Sequence, residues 1–465
     1  MKKVLLLNPP GERLYIRDYF CSKVSQADYL THPVDFVVLS GILAGEYEVG
    51  LIDAIAGKLS PESALEEIRR FAPDAVISLF GSVSLPEDLA FAAKVRAACP
   101  GARLVGLGDA FRDGGAKYLG PDSPLDALLL DFTTRDIVSY LEGDHGSAAN
   151  MLIRDGGEVL PPGTRPAAER YEVPVPRHEL FSGYDYRHPF VRSRRFATVL
   201  TDYGCPFHCS FCVMGTLGFK SRTPASVMTE LEHIKSLGIK EVLFHTQTFG
   251  ARKEEARELC RRMISAGLGL GWTCFSRVDV ADPELLSLMR EAGCHTVIFG
   301  VESGSDEILK KYGKGYTRGQ IISAIDHCAA IGIETVGTFI LGLPEETHET
   351  MERTLDLLRT IKLDYASINV AVPRMGTPLR EEAIAHGLVD GDFAVMDQSG
   401  AEVAMGSRTL SREEITKYRK RAVAIFYFNP RYILRRLARI RSFYDLTRQL
   451  KQAAALAANT WFGEK

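Results

Sequence analysis

Three cysteines stand in one short stretch, Cys205-Pro206-Phe207-His208-Cys209-Ser210-Phe211-Cys212, in the spacing C-x3-C-x2-C. Thiols so placed can converge on one small inorganic object. Iron–sulfur clusters are held by cysteine thiolates, and a cubane normally takes four. This loop offers three, and no fourth cysteine follows at a ferredoxin-like spacing. Cys205, Cys209 and Cys212 would then leave one iron with an open position, as chemistry on the metal requires. The competing reading is a structural zinc site with His208 as fourth ligand, since Cys3His sites exist. A disulfide fits less well, because nine cysteines are an odd number and nothing marks the chain as secreted. Cys260, Cys274, Cys294 and Cys328 lie in apolar contexts and read as core. Cys21 stands alone and supports no role.

The loop needs a strand end to hold it. Residues 196–202 read as a strand running directly into it. The pattern then repeats: helix 224–237, strand 241–244, helix 253–266, strand 271–275, helix 283–292, strand 296–299, helix 318–330, strand 335–340, helix 348–361 and strand 364–370. Six such units predict a partial (β/α)6 TIM-like barrel over residues 193–375, with its site at the carboxyl ends of the strands.

Residues 1–145 also alternate, with strands at 3–7, 47–53, 75–80, 103–107 and 127–130 and helices at 61–71, 86–99 and 113–118. That predicts a Rossmann-like, doubly wound parallel sheet, so the chain is of the α/β class. Ligands of such sheets bind beyond the carboxyl ends of the strands, which points to Asn8, Asp53, Ser82 and Gly108. A G-x-G-x-x-G fingerprint is missing, so NAD is not expected. Residues 18–36 form a long connection, and long connections in compact domains are often functional.

Residues 146–192 read as a linker: a hairpin over 153–159 turning at Asp155-Gly156-Gly157, then a proline-rich extended passage. Tyr184 and Tyr186 either line a substrate entrance or pack on the barrel. Residues 376–465 read as a helical tail, with helices at 413–428 and 431–450 parted by Asn429-Pro430. Its basic residues, Arg431, Arg435, Arg436, Arg439 and Arg441 among them, alternate with Tyr432, Ile433, Leu434, Leu437 and Phe443. Such a helix either lies on an anionic membrane surface or packs on the barrel with a solvated charged face.

Composition sets outer bounds. A chain of 465 residues is too long for one ordinary core. An apolar share of 46% and a charged share of 25% describe a soluble globular protein. A net charge of −3 argues against a general nucleic-acid binder. The first seven residues briefly imitate a signal peptide, but Asn8-Pro9-Pro10 ends the run and a first strand fits better. No apolar run reaches the length of a membrane span, and free cysteines fit a reducing cytoplasm.

With Phe211 just before its last cysteine, the loop resembles the signature of the radical S-adenosylmethionine (SAM) superfamily. The resemblance implies a 4Fe-4S cluster whose open iron is chelated by the amino and carboxylate groups of SAM. Reductive cleavage then releases a 5′-deoxyadenosyl radical, which abstracts a substrate hydrogen. Other segments match at the strand ends. Phe299-Gly300-Val301-Glu302-Ser303-Gly304 resembles the ribose-binding segment, with Glu302 accepting from the hydroxyls and Ser303 beside it. Ser276-Arg277-Val278-Asp279 resembles the segment near the SAM methionine, which makes Arg277 a partner for the carboxylate. Residues 337–346, Gly342 included, resemble the segment beside adenine, and Phe211 would flank that ring. Many relatives carry two acidic residues after strand two to bind the SAM ammonium. Here the segment is Phe244-His245-Thr246-Gln247-Thr248-Phe249, which leaves Thr246 and Gln247 to accept without charge assistance.

The opening Leu5-Leu6-Leu7-Asn8-Pro9-Pro10, ahead of such a barrel, resembles the cobalamin-binding radical SAM enzymes, whose N-terminal domain holds cobalamin above the SAM site. The D-x-H-x-x-G motif is absent. Gly106-Leu107-Gly108-Asp109-Ala110 stands where many members carry Gly-Gly-x-His, so no imidazole from this loop is expected below the cobalt. The resemblance implies SAM, cobalamin, an external electron donor such as flavodoxin or ferredoxin, and methylation of an unactivated carbon in a lipid, isoprenoid or tetrapyrrole-like small molecule. The alternatives are a radical oxidative cyclase resembling the anaerobic magnesium-protoporphyrin ester cyclase and a non-catalytic cobalamin or SAM sensor. The expected location is the cytoplasm, at the inner membrane face if the tail binds there.

Overall fold

The computed structural model describes residues 2–20, 22–25, 29–163, 168–394, 396–397 and 403–438. Cys21 and residues 439–465, with most of the second tail helix, lie outside them. The chain forms two units, one of residues 1–204, 217–246 and 265–271 and the other of 205–216, 247–264 and 272–465.

The first unit begins with β1 (Lys3–Asn8), the ribbon β2 (Tyr15–Ile16) and β3 (Lys23–Val24), helix α1 (Val34–Leu43) and β4 (Glu48–Asp53). There follow α2 (Pro61–Phe71), β5 (Ala75–Leu79), α3 (Leu85–Ala98), β6 (Arg103–Leu107), β7 (Ala127–Leu129), α4 (Asp136–Glu142), β8 (Met151–Asp155) and β9 (Glu158–Leu160). The sheet order is β4-β1-β5-β6-β7-β8-β9, parallel through β7 and antiparallel after it. Leu5, Leu6 and Leu7 are buried because β1 lies between β4 and β5 in a parallel sheet, covered on both faces. Helix α2 starts where Ser60 accepts the Ser63 amide, with Pro61 at its first position.

Three expectations change here. The helix at 113–118 is replaced by two 3-10 turns, Asp109–Phe111 and Gly115–Leu119, since the adjacent Gly114 and Gly115 weaken an α-helix. The hairpin placed in the linker pairs through β8 with β7 and extends the first sheet. The connection 18–36 runs into α1, whose residues are all buried.

The barrel sheet runs in chain order. Its strands are β10 (Ala197–Val199), β13 (Glu241–Phe244), β14 (Gly271–Ser276), β15 (Cys294–Glu302), β16 (Glu334–Leu341) and β17 (Tyr365–Val370). The strand expected at 196–202 divides: β10 stops at Val199, and β11 (Asp202–Gly204) pairs antiparallel with β12 (Phe219–Ser221). The intervening helices are α5 (Pro224–Ser236), α6 (Lys253–Ser265), α7 (Pro283–Glu291), α8 (Asp306–Lys311), α9 (Arg318–Ile331) and α10 (His348–Thr360), followed by α11 (Pro378–Ala385), α12 (Arg412–Tyr427) and α13 (Pro430–Ala438).

The tail helices bond to β17, the last strand of the sheet. The Tyr427 hydroxyl donates to the Ala366 carbonyl at 2.8 Å and accepts from the Ala366 amide at 3.2 Å. Arg419 Nε donates to the Ile368 carbonyl at 3.2 Å. Arg435 donates to the Leu363 carbonyl and Arg436 to the Tyr365 hydroxyl. Part of the basic face therefore turns onto the barrel, while Ile433, Leu434 and Leu437 are exposed.

Candidate active site

The cysteine loop belongs entirely to the second unit. Backbone bonds hold it: Ser210 N donates to Tyr312 O at 3.2 Å, Leu379 N to Ser210 O at 3.0 Å, and Cys212 N to Cys209 O at 2.9 Å. Each thiol has its own neighbours. Cys205 Sγ lies 3.8 Å from Thr248 Oγ1, Cys209 Sγ 3.8 Å from the Gly313 carbonyl, and Cys212 Sγ accepts from Met214 N at 3.4 Å. Burial pushes the Cys205 thiol up, and that of Cys212 up to about 12. Coordination to a metal deprotonates a thiol outright.

The donor set separates the two readings of the loop. A mononuclear zinc ion gathers its ligands at about 2.0–2.3 Å from one point. Among the described residues, the one trio of His, Cys, Asp or Glu with ligand atoms all within 4.8 Å is Glu345, Glu382 and His386. The three thiols and His208 are not so gathered. Three thiolates spread over three irons of a cluster fit such a spacing.

A buried guanidinium stands beside the thiols. Arg277, 6% exposed, donates from Nη1 to Cys209 Sγ at 3.5 Å. Its Nε and Nη2 donate to Asp279 at 3.0 and 2.9 Å, and Nη2 also to the Lys314 carbonyl. The Phe207 ring lies 3.8 Å from its guanidinium carbon and the Tyr316 ring 5.1 Å.

Glu302 stands at the end of β15 with φ 64°, a left-handed backbone unusual for a residue with a side chain. The β15–β16 register shifts between Gly300 and Glu302, and such a bulge re-aims a side chain. Glu302 Oε1 accepts from Lys314 Nζ at 3.1 Å, and both residues are buried. Burial works against the Lys314 charge, but Glu302, Tyr316 and Cys209 together outweigh it and hold the ammonium raised. A Cβ on Gly300 would lie 2.5 Å from Glu302 Oε1 and 3.1 Å from Lys314 Nζ. Glycine there makes room for the pair. Lys314 Nζ also lies 5.7 Å from the Phe211 ring centre.

The other expected contacts are placed as follows. Phe211 packs in a cluster with Tyr312, Leu343, Leu379 and Met405. The Ser303 hydroxyl is 3.2 Å from Thr354 Oγ1 on α10 and accepts the Ser305 amide in its own turn. Gly342 has φ 89°, and its amide donates to the buried Glu346 at 2.7 Å. Gln247 is half-buried. Thr246 donates to Asp202 Oδ2 at 2.7 Å. Lys314, Tyr316 and Phe207 were not among the expected site residues.

In the first unit three of the four expected strand-end residues, Asn8, Asp53 and Ser82, enter two polar networks. Asn8 Nδ2 donates to Asp53 Oδ1 at 2.9 Å, Arg17 Nη1 donates to Asn8 Oδ1 at 3.0 Å, and Arg17 pairs with buried Asp88 at 2.6 Å. Tyr186 donates to Asp53 Oδ2 at 2.8 Å, and the Tyr184 hydroxyl donates to the Leu51 carbonyl at 2.9 Å. Both tyrosines thus bond to β4. Burial raises Asp53, while its hydrogen bonds oppose the rise. In the second network Ser82 donates to Asp109 from its amide and its hydroxyl, each at 2.8 Å, and the Ser22 amide does so at 2.9 Å. Gly108 has φ 143°, and a Cβ there would meet the Phe80 carbonyl at 2.0 Å.

Fold and site define a class. Residues 199–358 match the radical SAM superfamily model, so the chain is an enzyme with a radical SAM domain, and it is similar to methyltransferases. It is 28% identical over 445 residues to PH0819, an uncharacterized methyltransferase of Pyrococcus horikoshii, covering 93% of this chain and 94% of that one. It is 29% identical over 228 residues to the hopanoid C-2 methylase of Rhodopseudomonas palustris, covering 46% of this chain and 42% of that one. Its fold is similar to that of TsrM, a radical SAM methyltransferase from Kitasatospora setae solved with cobalamin and a 4Fe-4S cluster bound. That TM-score is 0.69 at 18% identity, covering 98% of this chain and 100% of that one. The N-terminal domain thus has the cobalamin-binding type of fold, joined to a radical SAM barrel.

Proposed function

We propose that this enzyme holds a 4Fe-4S cluster on Cys205, Cys209 and Cys212, binds SAM and cobalamin, and methylates an unactivated carbon of a lipid, isoprenoid or tetrapyrrole-like substrate. The observation that carries the reading is the arrangement of the three thiols, each with separate neighbours, beside the buried guanidinium of Arg277. When bound, the cluster supplies the electron that cleaves SAM, and cobalamin supplies a methyl carrier. Glu302, aimed by the β15 bulge and held by Lys314, accepts from the ribose hydroxyls. Phe211 and Gly342 shape the apolar side for adenine, with Ser303 fixing the turn behind Glu302. Gln247 accepts from the SAM ammonium. Asn8, Asp53, Ser82 and Gly108 form the cobalamin-facing strand ends. An external flavodoxin or ferredoxin provides electrons.

The lipid-like substrate draws support from the partial similarity to the hopanoid methylase. Exposed Leu434 and Leu437, at 68% and 56%, suit a peripheral contact at the inner membrane face. No helix among the described residues is long and apolar enough to cross a membrane.

Anaerobic reconstitution with iron, sulfide and hydroxocobalamin, then desalting, tests the reading. About four irons and one cobalt per chain are expected. SAM labelled in its methyl group should then label the product. Label absent from a dehydrogenated or ring-closed product would favour oxidative cyclisation, and zinc without iron would overturn the proposal.

A further inference from the structure

Arg277 is more tightly held than a partner for a SAM carboxylate needs to be. Its Nε and Nη2 are committed to Asp279 and to the Lys314 carbonyl, its faces to Phe207 and Tyr316, and its Nη1 points at Cys209 Sγ, 3.5 Å away. A guanidinium fixed on so many sides cannot swing away without breaking buried contacts. We infer that Arg277 is a redox-tuning residue, whose hydrogen bond to the Cys209 thiolate favours the reduced state of the cluster. The inference rests on the cluster reading above.

Reduction adds one electron, from a low-potential one-electron donor, and takes the 4Fe-4S cluster from 2+ to 1+ with no proton moved. The added negative charge falls on a site that already holds three thiolates. Cluster potential follows net charge, hydrogen bonds to sulfur and solvent exposure. Charge-assisted hydrogen bonds are roughly twice as strong as neutral ones, so a cationic N–H on the sulfur stabilises the more negative state. Asp279 offsets part of the charge. It binds Nε and Nη2, however, and leaves the Nη1 donor on the thiolate.

The test is a redox titration of reconstituted protein, without SAM, followed by electron paramagnetic resonance of the reduced cluster. Wild type, Arg277→Gln and Asp279→Asn are compared with dithionite as donor, and iron and sulfide content are measured in each. At one poised potential, Arg277→Gln should lower the reduced-to-oxidised ratio about tenfold, about 59 mV for a one-electron couple. Asp279→Asn should raise it. Equal ratios in all three proteins would overturn the inference while leaving the cluster site intact. If Arg277→Gln loses its cluster, Asp279→Asn decides alone, and an unchanged or lowered ratio there overturns the inference. A wild type that assembles no cluster overturns the site reading and this inference with it.

Discussion

Lys314 Nζ lies 3.1 Å from Glu302 Oε1, an ion pair with both side chains more than nine-tenths buried. Removing one partner of such a pair strands the other charge in a dry site, which typically costs about 3–5 kcal/mol. Lys314→Met should therefore lower stability by about that amount in urea unfolding, and adding Glu302→Gln should restore much of it. A Lys314→Met protein as stable as wild type would show that the pair is screened by water.

Gly300 borders the same pair, and the atom its Cβ would meet is the end of a side chain. Gly300→Ala should fold, displace the Glu302 carboxylate, and weaken SAM binding about tenfold, or about 1.4 kcal/mol. Equilibrium dialysis on reconstituted protein would measure the change. Undiminished affinity would remove Glu302 from the SAM site.

Gly108 differs, because its Cβ would meet a backbone carbonyl, and its φ of 143° disfavours any side chain. Gly108→Ala should destabilise the N-terminal domain by about 1–3 kcal/mol, seen as earlier proteolysis of that domain and poorer cobalamin retention. A variant that kept both would show that the β6 loop can shift.

Glu346 sets a pH dependence. It is fully buried, one of its oxygens has no partner among the described residues, and burial raises it to about 7 from 4.5. Between those values the folded state holds a proton that the unfolded state has released. Its contribution is thus complete below about 4.5 and is lost as pH rises through about 7. Wild-type stability should carry a negative slope across that window, and Glu346→Gln should flatten it. A parallel slope in both proteins would clear Glu346.

The cysteine loop and Glu302 were legible in the sequence because their signals are local: one spacing and one strand-end segment. Lys314 was not, because its partners Glu302 and Phe211 come from other elements. Its one sequence signal is that it stands between Gly313 and Gly315, both at positive φ. Arg17 sat unread just ahead of the long connection, since its partner Asp88 lies 71 residues on. Helix α1 is apolar on nearly every side and so shows no 3.6-residue face. The barrel's first strand is shorter than its pattern predicts because Asp202 continues that pattern, yet turns to bind Thr201 and Thr246.

The Tyr427 hydroxyl that bonds both backbone groups of Ala366 has a consequence for biosynthesis. A partial barrel ends in a strand whose outer edge can template another chain. Tyr427 leaves the ribosome 61 residues after Ala366, several seconds at about 5–20 residues per second. During that interval the nascent β17 is exposed to self-association. A chain truncated before α12 would remain in that state and should accumulate as inclusion bodies.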